Sequence, residues 1–176
     1  MLLDRDGVLN RNLESGVRLR DDFQFLPRAL DALRMLEGTG TLVLIVSNQA
    51  NVGRGMLALK ELEAINETLL ATVAHHGGWI DAIYVCPHVP TAACDCRKPA
   101  PGLLLEAASD YGFDLSSAYM VGDHARDVEA ALRAGCKAVF VGEGDLPEPL
   151  AARVDLRAVD LYDAVQLILV AEEEEA

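Results

Sequence analysis

Two carboxylates one residue apart stand close to the start of the chain, where a short apolar run gives way to a glycine. They are Asp4 and Asp6, followed at once by Gly7. Carboxylates at the C-terminal edge of a parallel sheet lie in the crevice where open α/β folds carry out their chemistry. An ordinary Asp-rich turn explains the same residues, because Asp and Gly favour turns for backbone reasons. The pair is therefore a candidate site whose interpretation depends on the rest of the chain.

A hydroxyl and two amides follow the second apolar run. Residues 41–46 suit a strand buried on both faces, and residues 47–49, Ser-Asn-Gln, come directly after it. Such groups can donate hydrogen bonds to phosphate oxygens, and the glycines of residues 53–55, Gly-Arg-Gly, let backbone amides approach them. For Ser47 alone, a helix cap or a turn is the simpler interpretation.

A cation in a rigid segment and a second pair of carboxylates occur later. Prolines at 99 and 101 restrict the residues before them to extended conformations, which would hold Lys98 in a fixed place; a solvated basic turn is the alternative. The apolar run 119–122 leads into Asp123, with Asp127 four residues further on. These two aspartates could also simply cap the next helix and complement its positive end.

Taken together and in this order, the four features resemble the haloacid dehalogenase (HAD) superfamily of phosphohydrolases. The matching residues are Asp-x-Asp-Gly at 4–7, Ser47, Lys98 before a proline, and Gly-Asp-x-x-x-Asp at 122–127. Longer strings resemble the branch that contains heptose bisphosphate phosphatases and histidinol-phosphate phosphatases. These strings are 4–10, 47–49 with 54–55, 86–88, 94–99 and 101–104. The resemblance is close over residues 1–141 and looser beyond them.

The resemblance implies how the first two carboxylates act. Asp4 is expected to be the nucleophile that attacks phosphorus and forms an aspartyl-phosphate, which splits hydrolysis into two easier displacements. Asp6 is expected to protonate the departing oxygen and then to take a proton from the attacking water. The activity implied is therefore that of a phosphomonoester hydrolase.

The resemblance also assigns the phosphate-binding and magnesium-binding residues. Ser47 and Asn48 are expected to bind the transferring phosphoryl oxygens and Lys98 to neutralise them, with Arg54 and Arg97 at the pocket mouth. Oxygen ligands and a phosphate substrate fit Mg²⁺. Its expected ligands are the carboxylates of Asp4 and Asp123 and the backbone carbonyl of Asp6, with Asp127 ordering the site or joining through water. Position 124 is a histidine where heptose phosphatases often have lysine, and we interpret His124 as a polar residue of a first helical turn.

Length and composition indicate a single compact enzyme. The chain has 176 residues, 51% of them apolar, which is one domain's length and argues against disorder. We predict one domain over residues 1–171 and an acidic, frayed tail over 172–176. The apolar runs are too short for a membrane span and the start has no signal-peptide pattern, so a cytoplasmic location is expected. The net charge of −13 argues against nucleic acid as a partner; a small phosphorylated metabolite and a monomeric state are expected.

Three cysteines and a histidine form a separate candidate metal site. Cys86, His88, Cys94 and Cys96 can supply four tetrahedral zinc ligands, and a zinc site with no vacant position is usually structural. A disulfide between Cys94 and Cys96 would need a strained tight ring, and the expected cytoplasm disfavours disulfides. Reduced thiols without metal remain the alternative. Cys136 is interpreted as a small core residue.

The order of the predicted elements indicates an α/β fold with a doubly wound, Rossmann-like parallel sheet and helices on both faces. Three residues before Asp4 span about 10 Å, so either the central strand is unusually short or the start is truncated. The intervals between the motifs have no room for a cap domain. The predicted strands are 41–46, 80–85, 118–121, 138–141 and 156–159, after the short first one, and the predicted helices are 27–36, 59–73, 103–111, 127–134 and 161–170.

Several functions stay open at this stage. With Lys98 assigned to the transferring phosphoryl group, Arg54 and Arg97 are more cations than one phosphate needs, and they suit a second anionic group. Within the resembled branch, the expected substrate is therefore D-glycero-D-manno-heptose 1,7-bisphosphate, which would lose its 7-phosphate. Histidinol phosphate is the second candidate, although its ammonium would be repelled by the arginines. A polynucleotide 3'-phosphatase would need a basic groove. A receiver-type signalling module would place its phosphoacceptor on a middle strand and leaves the Cys/His group unexplained.

Overall fold

The computed structural model describes residues 1–175, which contain one sheet of six parallel strands. In chain order the strands are β1 (Leu2–Leu3), β2 (Leu44–Asn48), β3 (Ala82–Cys86), β4 (Tyr119–Gly122), β5 (Lys137–Val141) and β6 (Leu156–Ala158). Their spatial order is β3-β2-β1-β4-β5-β6, so the direction of winding reverses between β3 and β4. This order confirms the predicted doubly wound parallel sheet.

Helices cover both faces of the sheet, as predicted. They are α1 (Ala29–Met35), α2 (Ala50–Gly53), α3 (Leu59–His75), α4 (Gly102–Tyr111), α5 (Ala125–Ala134) and α6 (Leu161–Glu175). One buried cluster joins α1, α3 and α6 to the sheet through residues such as Leu33, Leu69 and Ile168. A second cluster on the other face includes Leu104 of α4 and Val128 of α5. The apolar spacing along each helix therefore supplies the face that packs against the strands.

The central strand is very short, and both of its residues are fully buried. Leu2 lies between Leu44 and Met120, and Leu3 lies between the residues that follow them on β2 and β4. The next residue, Asp4, donates its backbone N–H to the carbonyl of Val121 at 2.9 Å. The sheet register thus fixes Asp4 at the carboxyl end of the strand beside which the strand order reverses.

Two of the predicted boundaries were wrong for reasons of packing. The second strand runs over Leu44–Asn48 instead of 41–46, because its partner β1 begins opposite Leu44 and because β3 pairs with it as far as Asn48. The first helix does not begin at Pro27. Its N-cap is Arg28, whose φ of 61° is left-handed, and Pro27 precedes that turn.

The acidic end of the chain was also predicted wrongly. Helix α6 does not stop at Val170 but continues to Glu175, so the run of glutamates predicted to fray is helical. Glutamate is a good helix former, although negative charge opposes the dipole at a helix C-terminus. Ala176 lies outside the described residues.

The edge of the sheet at the carboxyl ends of the strands is covered by connecting loops. Within residues 1–175, no separate cap domain lies over this edge, which agrees with the short intervals between the motifs. The loop between β1 and α1 packs through its own small apolar cluster around Val17, Leu57 and Ile65. Across the same residues, none of the helices has both the length and the apolar character needed to cross a bilayer.

A pair of adjacent leucines on α4 tests the packing of the second face. Leu104 is 0% exposed and Leu105 is 49% exposed. We expect Leu104→Ala to lower the free energy of unfolding by about 2–5 kcal/mol, because it removes buried surface and leaves a cavity. Leu105→Ala is the matched control and should change it by less than about 1 kcal/mol. Urea denaturation of both variants measures the difference, and equal losses would contradict this packing.

Candidate active site

A cleft of about 230 Å³ opens at the carboxyl ends of the strands, beside the point where the strand order reverses. It brings together several of the residues singled out in the sequence and adds others from the loop after β1. Its lining includes Asp4, Asp6, Asn12, Gly16, Asn48, Arg54, Arg97 and Arg126. Lys98 and Asp127 lie buried beneath the polar floor of this cleft. The arrangement is a polar pocket with carboxylates at its base and guanidinium groups around it.

Lys98 is a buried cation held between two carboxylates. Its side chain is 1% exposed, and Nζ lies 2.8 Å from Asp4 Oδ1 and 2.8 Å from Asp127 Oδ1. Burial by itself would lower the pKa of Lys98, but the two carboxylates outweigh burial and raise the pKa above its ordinary value. Lys98 therefore stays positively charged at the base of the cleft.

Asn48 fixes the backbone of this lysine. Its Oδ1 accepts from the N–H of Lys98 at 3.1 Å, and its Nδ2 donates to the carbonyl of Lys98 at 3.0 Å. The last residue of β2 thus holds the Lys98 segment by both of its main-chain groups. The contacts of the Asn48 side chain are with the protein, while its place in the cleft wall leaves it next to any bound phosphate.

Asp4 is nearly enclosed and strongly affected by its surroundings. Burial raises the pKa of Asp4 to about 7; Lys98 opposes this shift and the negative charge of Asp127 adds to it. The backbone N–H of Arg5 donates to Asp4 Oδ1 at 2.8 Å. A carboxylate in this position needs additional positive charge nearby to remain ionised at neutral pH.

The surroundings of the Asp123 carboxylate indicate whether a cation fits at the base of the cleft. Its Oδ1 is buried and has no hydrogen-bond partner among residues 1–175, and burial raises the pKa of its carboxyl group. Oxygens of Asp4, Asp123 and Asp127 all lie within 4.8 Å of one another. A buried, unpaired carboxylate oxygen facing other carboxylates is costly unless a cation binds it. An all-oxygen set of this kind fits Mg²⁺.

Asp127 already has protein partners at both oxygens. Its Oδ1 contacts Lys98, and its Oδ2 accepts from the backbone N–H of His124 at 3.1 Å. His124 in turn is the N-cap of α5, where its Nδ1 accepts from the N–H of Arg126 at 3.3 Å. His124 therefore caps the helix instead of standing within its first turn. The carboxylates left open to an ion are those of Asp4 and Asp123.

Gly7 allows the Asp123 carboxylate to come this close to the loop after β1. The φ angle of Gly7 is +94°, a left-handed conformation that favours glycine. A Cβ atom built on Gly7 would stand 1.9 Å from Asp123 Oδ2. The glycine after the second aspartate is therefore required both by backbone geometry and by the packing of the Asp123 carboxylate.

Asp6 is surrounded by hydrogen-bond donors, which the sequence had not indicated. Its carboxylate accepts from Arg5 Nη2 at 3.0 Å, from Asn10 Nδ2 at 2.9 Å and from Gln49 Nε2 at 2.8 Å. Arg5 is 1% exposed and also donates to Asn66 Oδ1 at 3.3 Å. An arginine between two aspartates was a signal that could have identified it, since a fully buried guanidinium needs a carboxylate partner.

Ser47 lies behind Gln49. It is 1% exposed, and its Oγ accepts from Gln49 Nε2 at 2.8 Å. One amide group of Gln49 therefore connects the hydroxyl of Ser47 to the carboxylate of Asp6. The hydroxyl hydrogen of Ser47 remains available to a further acceptor, because Oγ is the acceptor in this contact.

Three guanidinium groups line the cleft, and the sequence had indicated two of them. Arg97 donates to the carbonyl of His88 at 3.1 Å, and Arg54 has a long contact of 3.5 Å with Asn51 Oδ1. Arg126, in the first turn of α5, is the one not identified from the sequence. The cleft is therefore rich in cations although the whole chain has a net charge of −13.

The four predicted zinc ligands come together in a separate cluster after β3. Their sulfur and Nδ1 atoms approach one another at 3.1–3.6 Å, too far for a disulfide and close to the edge of a zinc tetrahedron, about 3.8 Å for Zn–S bonds near 2.3 Å. The members are Cys86, His88, Cys94 and Cys96. Cys136 lies apart from them, buried in the core under the second face. The donor set and its spacing fit one tetrahedral metal ion.

Comparisons with known proteins agree with the geometry. A family model described as HAD-hydrolase-like matches residues 95–164. The chain is 38% identical over 167 residues to the D-glycero-beta-D-manno-heptose-1,7-bisphosphate 7-phosphatase of Pseudomonas aeruginosa, covering 90% of this chain and 94% of that protein. The enzyme of the same name from Escherichia coli K12 is 37% identical over 142 residues, covering 76% of this chain and 73% of that one.

Among solved structures, the chain resembles the D,D-heptose 1,7-bisphosphate phosphatase of Bordetella bronchiseptica, whose crystal structure is complexed with magnesium and phosphate. The TM-score is 0.88 at 34% identity, and the match covers 100% of this chain and 98% of that one. The match therefore extends over the sheet, its helices and the loops that form the cleft. The chain belongs to the HAD-like hydrolases, in the family of the heptose 1,7-bisphosphate 7-phosphatases.

Proposed function

We propose that this protein is a magnesium-dependent phosphatase that removes the 7-phosphate of D-glycero-β-D-manno-heptose 1,7-bisphosphate. The observation that carries the proposal is the buried group in which Lys98 bridges Asp4 and Asp127 while an oxygen of Asp123 stays unpaired beneath the cleft. The names of the relatives support the substrate and its β-anomer. We propose residues 1–171 as one catalytic domain, and a cytoplasmic location and a monomeric state remain predictions from the sequence.

In the first half-reaction, a carboxylate oxygen of Asp4 attacks phosphorus and the bond from phosphorus to the sugar oxygen breaks. Asp6 gives its proton to that oxygen, which leaves as the sugar hydroxyl. The donors around Asp6, from Arg5, Asn10 and Gln49, support this role because they hold the carboxyl group in one orientation. The product of this step is an aspartyl-phosphate on Asp4.

In the second half-reaction, water attacks the aspartyl-phosphate and gives its proton to Asp6, which frees Asp4 and releases phosphate. Lys98 stabilises negative charge on the phosphoryl oxygens, helped by the hydroxyl of Ser47 and by Asn48 at the end of β2. Mg²⁺, held by the carboxylates of Asp4 and Asp123, would supply further positive charge to the same oxygens.

We also propose that the Cys/His cluster binds a structural zinc ion. The four donors are all supplied by the protein, which leaves no position for a catalytic water. The cluster lies directly before Arg97 and Lys98 in the chain, and the guanidinium of Arg97 donates to the carbonyl of His88. Zinc would therefore order the loop from which two cations enter the site.

The role of Asp4 as the nucleophile is tested by replacing its carboxylate with an amide. We expect Asp4→Asn to lose nearly all turnover while it keeps the fold, because an amide oxygen is a far weaker nucleophile than a carboxylate oxygen. Asp6→Asn should lower kcat by about a hundred- to ten-thousandfold. Phosphate release measures both effects, and a melting curve checks the fold.

Asp31→Asn, at an exposed position of α1, is the matched control and should keep wild-type turnover. If Asp4→Asn retained a tenth of the wild-type kcat, the nucleophile would have been assigned wrongly.

The zinc site is tested by metal analysis of protein purified without chelators. We expect about one zinc per chain in the wild type, and Cys94→Ser should lose both the metal and several degrees of Tm, because metal binding adds to folding free energy. Cys136→Ala removes a thiol outside the cluster and should keep the metal. Wild-type protein without zinc, or a Cys94→Ser variant that keeps it, would rule out the site.

Substrate preference separates the two substrates considered for this branch. We expect kcat/KM for heptose 1,7-bisphosphate to exceed that for histidinol phosphate, since Arg54 and Arg97 attract a second phosphate and repel an ammonium group. Arg97→Ala should reduce the ratio of the two kcat/KM values by about ten- to hundredfold, which corresponds to the loss of one charge-assisted contact. Equal or higher kcat/KM for histidinol phosphate, measured in magnesium at neutral pH, would reverse the ranking.

A further inference from the structure

Arg126 places a third guanidinium group in the wall of the cleft. It is the second residue of α5, is partly buried, and lines the same cavity as Arg54 and Arg97. Those two side chains contact protein acceptors. The guanidinium of Arg126, by contrast, has no hydrogen-bond or ion-pair partner among residues 1–175. It is thus a cation at the cleft whose donors are open to a ligand.

The cap of α5 holds Arg126 in this place. The ring of His124 accepts from the backbone N–H of Arg126, and the backbone N–H of His124 donates to Asp127, which is itself held by Lys98. The backbone from which the Arg126 side chain extends is therefore tied to the buried charges of the active site. The ring of His124 is thus engaged in the cap, and Arg126 follows it in the first turn with its guanidinium at the cleft.

The charge of Arg126 also acts on the carboxylate of Asp123. Burial is the main cause that raises the pKa of Asp123, and the positive charge of Arg126 acts against that shift. The guanidinium is therefore near enough to Asp123 to act on it, yet it forms no ion pair with a carboxylate among residues 1–175. It faces the space that a substrate would occupy.

We propose that Arg126 is a specificity-determining residue that binds the second, non-reacting phosphate of a bisphosphorylated sugar, a role that rests on the proposed function. A guanidinium binds phosphate through two parallel hydrogen bonds, which an ammonium cannot reproduce. Arg97 would have to share its donors with the carbonyl of His88, whereas Arg126 gives up no protein contact when it binds an anion. All the guanidinium donors of Arg126 are therefore available to a second phosphate.

The experiment compares two substrates that differ only in that phosphate, heptose 1,7-bisphosphate and heptose 7-phosphate. For Arg126→Ala we expect kcat/KM on the bisphosphate to fall about ten- to hundredfold, mainly through KM, and kcat/KM on the 7-phosphate to change less than about threefold. Arg126→Lys should recover part of the loss, because lysine keeps the charge without the paired geometry. Arg133→Ala, on an exposed position of the same helix where arginine pairs with Glu129, is the matched control and should behave as wild type.

Four results would overturn the role of Arg126. Equal losses on both substrates would place it at the reacting phosphate, and unchanged kcat/KM on both would leave it without a contact. A wild-type enzyme that hydrolyses the two substrates equally well would show that the second phosphate has no binding site, although the phosphatase activity would stand. If the wild type hydrolysed neither heptose phosphate while releasing phosphate from other esters, the proposed substrate itself would be wrong, and the role of Arg126 with it.

Discussion

The burial of one ammonium group among carboxylates is the constraint on which the rest of the site depends. Lys98 is removed from water, and moving an unpaired charge into the protein interior costs many kcal/mol unless opposite charge meets it there. Asp4 and Asp127 both meet it at 2.8 Å. With Asp123 beside them, the carboxylates exceed the single cation. This excess of carboxylates stabilises Lys98, but it also leaves Asp4 with a raised pKa and Asp123 with an unpaired oxygen. A bound divalent cation would balance the remaining negative charge.

Much of the surrounding structure keeps these charges at fixed distances. The side chain of Asn48 holds the backbone of Lys98 from β2, and the cap of α5 holds Asp127 from the other side of β1. Two glycines permit the close approach: a Cβ on Gly122 would stand 2.2 Å from the Cβ of Asp127, and one on Gly7 would collide with the Asp123 carboxylate. The sheet order matters here, because β2, β1 and β4 are neighbours in the sheet although loops and helices separate them in sequence. The winding of the fold is thus what converts scattered motifs into one charged cluster.

The architecture and the charged cluster could be predicted from the sequence because both depend on local patterns that occur at several places along the chain. Apolar runs ending in polar residues identified strands whose carboxyl ends meet, which places Asp4 and Asp123 at one edge of the sheet. Lys98 and Asp127 were assigned to the same site through the family resemblance of the ordered motifs. The predicted boundaries were wrong where contacts with another element determine them: β2 begins at the residue that pairs with the start of β1. Helix α6 continues beyond its apolar residues because the glutamates that follow have high helix propensity. The role of Arg126 depends on which side-chain neighbours the fold supplies, and no spacing along the chain reveals that, whereas the position of Arg5 between two aspartates was a usable signal. Arg5 points into the protein to pair with Asp6, whereas Arg126 points to the cleft.

The contrast between the cationic cleft and the acidic body has a consequence for how substrate arrives. Within about one Debye length of the surface, about 8–10 Å at ordinary ionic strength, an approaching polyanion is repelled by the net charge of −13, and at larger distances this repulsion is largely screened. At contact it responds to Arg54, Arg97 and Arg126 instead. Added salt weakens the long-range repulsion more than the short contacts, so moderate ionic strength should speed the diffusional encounter until it begins to screen the arginines as well. Loops alone roof the site in residues 1–175, so an approaching substrate meets this balance of fields directly at the cleft.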